Sequence, residues 1–312
     1  MIKEIITSAI RGISHPNTDL DAQTFLLRVH QVRRAAGRSA PLRVDYLPRV
    51  TAAELADPRV LIWDIGRSHL PGQGNFDHHQ DHTLGATPII LLQAMGLEPT
   101  ALDRYVDLAD RGLFFKEPQP IPYAETLQGV AHGINLVHAE DAVRSRHFQD
   151  LLGWIEGSGS DPFGRFDEAN LPLRFHPFVA ARRREDQVAL EAAAEAQWYE
   201  TRLGPIAYIA SDAAAVMRML YGQGAVLVVL HEPEGHMSHW QMSAPKYTVG
   251  ANPALVSVPD QLDLRPLFTA LSSLEPSGNT WGGQAGVGGS PREEGGSALA
   301  PSVVIKAVRE YL

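Results

Sequence analysis

Acidic and histidine side chains cluster at the ends of apolar runs in the first half of the chain. They are His15, Asp19 and Asp21 in "SHPNTDLDAQTFLL", Asp64 in "VLIWDIG", Asp77, His78 and His79 in "FDHHQ", and Asp110 in "YVDLADRG". The chain contains no cysteine, so histidine, aspartate and glutamate are its only strong metal ligands. Oxygen and imidazole ligands suit Mn²⁺ or Mg²⁺, and zinc and iron also accept them. The set is large enough for two divalent ions.

Two divalent ions about 3.5 to 4 Å apart can polarise a phosphoryl group and lower the pKa of a bridging water. Such a site requires several hard ligands, with one carboxylate between the two ions. The phosphate of a substrate would complete the coordination. The ligand types therefore favour hydrolysis of a phosphate ester or anhydride.

Ordinary structural roles are the alternative for each of these residues taken alone. Asp19 could cap the helix that follows it, and Asp21 in the first turn would suit the helix dipole. Asp107 and Asp110 could both be exposed acids of one helix. Asp64 fits such a role less well, because an acid buried among isoleucine and tryptophan is costly without a partner. The joint occurrence and order of the residues favour a metal site.

Alternating strand and helix patterns carry these residues. The strand patterns are "EIITSAI", "LRVDYLP" and "VLIWDIG", and the helical patterns between and after them are "DAQTFLLRVHQVRRAAG" and "TPIILLQAMG". Alternation of this kind predicts βαβ units and a parallel sheet, that is, an α/β fold. Ligand sites in such sheets lie beyond the carboxyl ends of the strands. The clustered residues lie at these predicted ends.

The length of 312 residues predicts two domains. We expect a catalytic domain over residues 1–181, a linker helix over residues 182–203, and a smaller α/β domain over residues 204–312. The linker is rich in alanine, glutamate and arginine at helical spacing. In the last part, "AVLVVLHEPEG" and "SHWQMSA" predict two strands with a Pro-Glu-Gly turn between them.

The composition, 44% hydrophobic and 20% charged, is that of a soluble globular protein. No window approaches the roughly 18 apolar residues of a membrane span, so we expect a cytoplasmic protein that does not enter a membrane. The net charge of −9 argues against generic duplex DNA binding, which depends on Lys and Arg at phosphates. The sequence leaves the oligomeric state open, a homodimer included.

The order of the motifs resembles the DHH phosphoesterase superfamily. Its motifs are H-x3-D-x-D, an aspartate at a strand end, D-H-H and a later aspartate, and they match His15, Asp19 and Asp21, then Asp64, then Asp77, His78 and His79, then Asp110. Locally, "DIGRSHLPGQGNFDHHQ" is also similar to the DHH-like exonuclease family once described as metal-dependent protein hydrolases. The resemblance implies a parallel-sheet DHH-type domain that is followed by a substrate-binding domain.

The resemblance also implies a role for each residue. One ion would be held by His15, Asp19 and Asp64, and the other by Asp21, Asp64, His78 and Asp110. Asp64 would bridge two ions, with Mn²⁺ favoured and Mg²⁺ also compatible. His79 would donate to the substrate phosphate, and Asp77 would orient its neighbouring histidine.

In the second domain the chain departs from the family pattern. Family members commonly carry a Gly-Gly-Gly-His segment there, whereas "WGGQAGVGGSP" has the glycines without a histidine. Backbone N–H groups of such a loop can bind an anion, and a flexible surface loop is the alternative. The candidate substrate-binding residues are Gly282, Gly283, Gly288, Gly289 and Arg292. Trp281 could stack on a base or pack in the core.

The implied function is a metal-dependent phosphoesterase that hydrolyses phosphodiester bonds of nucleotidic substrates, such as short oligonucleotides, cyclic dinucleotides or single-strand 3′ ends. A manganese-dependent inorganic pyrophosphatase is one alternative. It is less favoured, because the only lysines after residue 203 are Lys246 and Lys306. A nucleotide-binding regulator without turnover is another alternative, and a protein with structural metal is a third.

Overall fold

The computed structural model describes residues 1–66, 68–79, 84–110, 123–167, 169–213, 215–237, 242–291 and 296–312. The described chain divides into a first unit, which ends at Arg182, and a second unit, Arg183–Leu312. The helices of the first unit are α1 Ile2–Ser8, α2 Leu20–Ala35, α3 Ala52–Ala56, α4 Thr87–Met95, α5 Ala101–Asp110, α6 Leu127–Val137 and α7 Asp141–Ser158, and α8 His176–Ala193 crosses the division. Its strands are β1 Arg11–Ser14, β2 Arg43–Tyr46, β3 Val60–Trp63 and β4 Asn75–Phe76.

The four strands of the first unit form a parallel sheet in the order β2-β1-β3-β4. Successive residues of β3 alternate between the two faces of this sheet. Leu61 and Trp63 pack against α2, where the Trp63 ring stacks on Phe25 at a centroid distance of 5.1 Å. Val60 and Ile62 pack on the opposite face. The predicted α/β class with a parallel sheet is confirmed.

The prediction of a first strand at "EIITSAI" is wrong, because this stretch lies mostly in the helix α1. Its apolar residues Ile2, Ile5, Ile6 and Ala9 recur at helical spacing and pack together against α2. The strand follows instead at Arg11–Ser14, where Gly12 and Ile13 are buried. A short apolar run fits both periods, and packing against α2 decides between them.

The second unit contains α9 Val216–Gly222, α10 Arg265–Leu274 and α11 Pro301–Tyr311, together with strands β5 Gln197–Thr201, β6 Gly204–Ala210, β7 Leu227–Met237, β8 Met242–Ala251, β9 Gly282–Gly283 and β10 Val287–Gly289. The sheet order is β5-β6-β7-β8-β10-β9, and of its pairs only β6 and β7 run parallel within the described residues. Leu227 and Val229 face the core that contains α10 and α11, whereas Val228 and Leu230 face α9 and the end of α8.

Two predicted elements of the second unit take a different form. The helix predicted over residues 182–203 spans His176–Ala193, and Gln197–Thr201 form the strand β5. Trp198, Tyr199 and Thr201 favour the strand, because aromatic and β-branched side chains fit a pleated surface. The predicted Pro-Glu-Gly turn is a β-bulge between Glu232 and Gly235 within the continuous strand β7.

The longest helices in the described parts of the chain, α7 and α8, each have 18 residues. Both contain several charged residues, as in "DAVRSRHFQDLLGWIEGS" for α7. Across the parts of the chain that the structure describes, a helix with the length and apolar character needed to cross a bilayer is absent.

Candidate metal centre

The carboxyl edge of the first sheet brings the candidate ligands together. His15 directly follows β1, Asp64 directly follows β3, and Asp77 directly follows β4. Because these strands are parallel neighbours, their carboxyl ends meet at one edge. Asp19 precedes the first residue of α2, and Asp110 is the last residue of α5.

Asp64 lies at the centre of the cluster in an unusual backbone conformation. Its φ is +57°, a value that residues other than glycine rarely adopt. Its backbone N–H still donates to the carbonyl of Phe76 at 3.0 Å. The buried carboxylate has Oδ2 at 2.8 Å from Nε2 of His15 and Oδ1 at 3.3 Å from Nε2 of His78. Such a conformation costs free energy and concentrates at functional sites.

The first ligand group consists of His15, Asp19 and Asp64. His15 Nδ1–H donates to the carbonyl of Pro16 at 2.8 Å, which turns Nε2 toward the Asp64 carboxylate, at 2.8 Å, where a cation could replace its proton. Asp19 Oδ1 accepts the N–H of Ala22 at 3.0 Å and so caps α2, while Oδ2 lies 3.6 Å from His15 Nε2. Asp19 therefore caps the helix with one oxygen and offers the other to a cation.

The second ligand group consists of Asp21, His78 and Asp110. Asp21 Oδ1 accepts the N–H of Thr87 at 2.9 Å, and its Oδ2 lies 3.6 Å from Nε2 of His78. These last two atoms are buried, and neither has a hydrogen-bond partner of good geometry within the described residues. His78 Nδ1 lies 3.5 Å from Asp110 Oδ2. Since buried polar atoms are costly when left unsatisfied, the group fits a divalent cation.

Burial and neighbouring charges shift the pKa values of the aspartates and histidines in this site. Although burial opposes the charged forms, the Asp64 carboxylate raises the pKa of His15 to about 10, and the nearby rings of His15 and His78 lower the pKa of Asp64. Burial and the charge of Asp64 raise the pKa of Asp21 well above its ordinary value and that of Asp110 to about 7. Metal binding would displace these protons, so metal affinity should rise with pH.

His79 belongs to a third group of possible metal ligands, with Asp64 and His78, and it also pairs with Asp77. The buried Asp77 accepts from His79 twice through Oδ1, from the backbone N–H at 2.9 Å and from Nδ1 at 2.7 Å. The hydrogen bond to Asp77 raises the pKa of His79, although burial opposes this. The imidazole is 50% exposed, so its protonated form can donate from Nε2 to an anion while Nδ1 donates to Asp77.

Asp107 and Asp110 occupy different places on α5. Asp107 Oδ1 accepts the N–H of Ala86 at 2.8 Å, at the start of α4. The next residue, Thr87, donates its own N–H to Asp21. Asp110 faces His78 instead. The sequence did not identify this supporting role of Asp107. A usable signal is Ala86 at the cap position of α4, since alanine supplies no capping oxygen of its own.

Exchange of each acid for asparagine separates these two roles. We expect Asp110→Asn to weaken Mn²⁺ binding by about 10- to 100-fold, because the ligand group loses a charged oxygen. Asp107→Asn should keep wild-type affinity, because an amide oxygen still accepts from Ala86. Titration calorimetry of the metal-free proteins measures both values. Metal loss in the Asp107 variant alone would show that Asp110 is not the ligand.

The glycines of the second unit lie in a hairpin and not in an open loop. Gly282–Gly283 and Val287–Gly289 pair as β9 and β10. A Cβ on Gly288 would lie 2.3 Å from Cε2 of Phe268, and one on Gly289 would lie 2.6 Å from the carbonyl oxygen of Tyr247. Close packing therefore explains these glycines.

The remaining candidates of this segment differ in their surroundings. Gly283 has φ +158°, and a Cβ there would lie 2.2 Å from Cα of Gly288, whereas nothing lies within 4 Å of a Cβ on Gly282. Arg292 lies outside the described residues. Trp281 is buried in the core and donates through Nε1 to Glu275 at 3.0 Å. Binding of substrate by this segment stays a prediction.

Comparisons with known proteins extend these findings. Neither a protein-family model nor a curated protein matches the sequence. Among solved structures, the DHH domain of a member of the s1p family of ribosomal proteins is similar, with a TM-score of 0.50 and 12% identity over 100% of this chain and 88% of that chain. The chain has a DHH fold. The resemblance inferred from the motifs is thereby confirmed at the level of the fold.

RecJ from Thermus thermophilus is also similar to this DHH-fold chain. Its structures in complex with Mg²⁺ and Mn²⁺ give TM-scores of 0.48 and 0.46 at 16% and 14% identity, and each match covers 99% of this chain. The matches cover 51% and 54% of RecJ, so the chain spans about half its length. A shared fold hosts several reactions, so the chemistry must be argued from the site.

Proposed function

We propose that the protein is a metal-dependent phosphohydrolase that cleaves phosphodiester bonds of nucleotidic substrates. Two adjacent ligand groups at one sheet edge carry this proposal, with Asp64 between them and with the buried Oδ2 of Asp21 and Nε2 of His78 left for a cation. The DHH fold is consistent with it.

The residues that would hold the cations fall into two sets. His15, Asp19 and Asp64 would hold one ion, and Asp21, Asp64, His78 and Asp110 would hold the other. Oxygen and imidazole ligands favour Mn²⁺, and Mg²⁺ is compatible. Two bound divalent ions supply positive charge to phosphoryl oxygens and make hydroxide available near neutral pH.

The protein's own groups around this centre would orient and stabilise the substrate. His79 would donate from Nε2 to a non-bridging phosphate oxygen, where negative charge develops in the transition state. Asp77 fixes the ring of His79 through its contact with Nδ1, at 2.7 Å. The Pro16 carbonyl similarly fixes His15, and the Thr87 N–H fixes Asp21. These contacts reduce the reorganisation that the reaction would need.

The scarcity of lysine in the second unit would favour a nucleotidic substrate over pyrophosphate. Pyrophosphate is small and highly charged, so a site for it requires several converging cations. The two lysines of the second unit each lie beside a glutamate, Lys246 with Glu232 at 3.0 Å and Lys306 with Glu310 at 3.7 Å. This pairing supports the proposal of a substrate that is larger than pyrophosphate and carries less charge for its size.

A substrate panel tests the proposal. Short oligonucleotides, cyclic dinucleotides and pyrophosphate would be incubated with Mn²⁺, with Mg²⁺ and with a chelator. We expect phosphodiester cleavage that requires the metal. Turnover of pyrophosphate alone would replace the phosphodiesterase with a pyrophosphatase. Tight nucleotide binding by the metal-loaded protein without any product would favour a regulator.

A further inference from the structure

A row of polar side chains on α7 contacts the chain segment that carries Asp19 and Asp21. Three of them share one face of the helix at spacings of four residues, and the fourth lies three residues after the first. They are Asp141, Arg144, Ser145 and Gln149. None belongs to a metal motif, and no sequence pattern connects them with the site.

The N-terminal end of the ligand segment is held by two residues of α7. Asp141 Oδ1 accepts the backbone N–H of Thr18 at 3.2 Å. Arg144 Nη1 donates to Oδ1 of Asn17 at 2.9 Å, and Arg144 Nε donates to the carbonyl of His138 at 2.6 Å. Asn17 has φ +60°, so these contacts stabilise a left-handed residue directly ahead of the ligands.

The C-terminal end of the segment is held through Gln23, which is fully buried. Its Oε1 accepts from Ser145 Oγ at 2.8 Å and from Gln149 Nε2 at 3.0 Å. Its Nε2 donates to Thr18 Oγ1 at 2.7 Å and to the Tyr46 hydroxyl at 3.2 Å. The amide thus uses both acceptor positions and both donors. A fully satisfied buried network permits one arrangement of its members.

Simple attachment of α2 to α7 does not require this network. Gln31, two turns further along α2, donates to Glu156 of α7 at 2.6 Å, and Arg28 also contacts Glu156. These contacts join the two helices away from the ligands. The Gln23 network adds contacts only at the end of α2 where Asp19 and Asp21 lie.

We propose that Gln23 is a positioning residue for the metal centre. With Ser145 and Gln149 it fixes the first turn of α2, and thereby the separation of the carboxylates of Asp19 and Asp21. This inference rests on the proposed function, because it assigns both carboxylates to bound ions.

Matched variants on one helix test the inference. Gln23→Leu removes the network at the ligand end of α2, and Gln31→Leu removes a contact with α7 at the far end. The Mn²⁺ dissociation constant would be measured by calorimetry, and the melting temperature in chelator would be measured for each protein. We expect Gln23→Leu to weaken Mn²⁺ binding by about 10-fold, as supporting partners of ligands do. Gln31→Leu should lower the melting temperature and leave the affinity unchanged.

A second variant covers the case in which Gln23→Leu does not fold. Gln149→Met keeps Gln23 in place and removes the two hydrogen bonds that Gln149 Nε2 donates, to Oε1 and to the backbone carbonyl of Gln23. It should weaken Mn²⁺ binding in the same direction. Wild-type affinity in every folded variant, together with a lower melting temperature, would overturn the inference. Failure of the proposed function can be told apart from failure of this inference. A wild-type protein that binds Mn²⁺ but cleaves no substrate contradicts the proposed hydrolase, while the Mn²⁺ affinities of the variants still test the role of Gln23.

Discussion

Asp64→Asn should lower metal-dependent hydrolysis by a factor on the order of 10³, comparable to the loss of a group that stabilises the transition state directly. The carboxylate lies between both ligand groups, with Oδ2 at 2.8 Å from His15 and Oδ1 at 3.3 Å from His78. Its replacement by an amide would remove a charged ligand of the first group and the carboxylate that contacts His78 of the second group. The turnover number on the best substrate of the panel measures the effect.

The backbone makes asparagine the right replacement for Asp64. Its φ of +57° is tolerated by asparagine better than by most residues, so the variant should fold. Asp107→Asn is the matched control, because this acid supports α4 and does not face the ring of His78. Equal turnover in wild type and Asp64→Asn would contradict a central role for this carboxylate.

Replacement of the two adjacent histidines should have different consequences. His79→Asn should lower turnover by about 10²- to 10³-fold while Mn²⁺ stoichiometry stays unchanged, because the ring would donate to phosphate and not to a metal. His78→Asn should lose metal, because Nε2 of His78 lies 3.6 Å from Asp21 and 3.3 Å from Asp64. Both variants would be measured for bound Mn²⁺ and for turnover.

The exposed fraction of each ring supports this distinction. His79 is 50% exposed and His78 is 13% exposed, so only His79 is open to a large ligand. Asp77→Asn provides a milder control, since it weakens the contact that orients His79 and leaves both rings present. If His79→Asn lost its metal and His78→Asn retained it, the two roles would be reversed.

The sequence pointed to the candidate ligands because their signals are local. An acid directly after an apolar strand, as at Asp64, or directly before a helix, as at Asp19, is visible from its neighbours alone. The alternation of strands and helices then predicted a parallel sheet, whose carboxyl edge brings such residues together. The structure confirms that sheet and that fold.

The parts that the sequence did not predict depend on contacts between distant residues. The helix α1 is decided by its packing against α2. The hairpin of β9 and β10 depends on close approach, as between Gly288 and Phe268. The support of Gln23 by Ser145 and Gln149 joins residues far apart in sequence, so no local pattern reveals it.

The number of Mn²⁺ ions bound per chain tests the central claim most directly. Calorimetric titration of metal-free protein, with electron paramagnetic resonance on the loaded sample, measures both the stoichiometry and the magnetic coupling of neighbouring ions. Binding of both ions through the Asp64 carboxylate, which contacts His15 of the first group and His78 of the second, predicts two ions and a coupled signal, and it predicts the loss of that coupling in Asp64→Asn. A wild-type protein that binds one isolated ion, or none, at neutral pH would contradict the account.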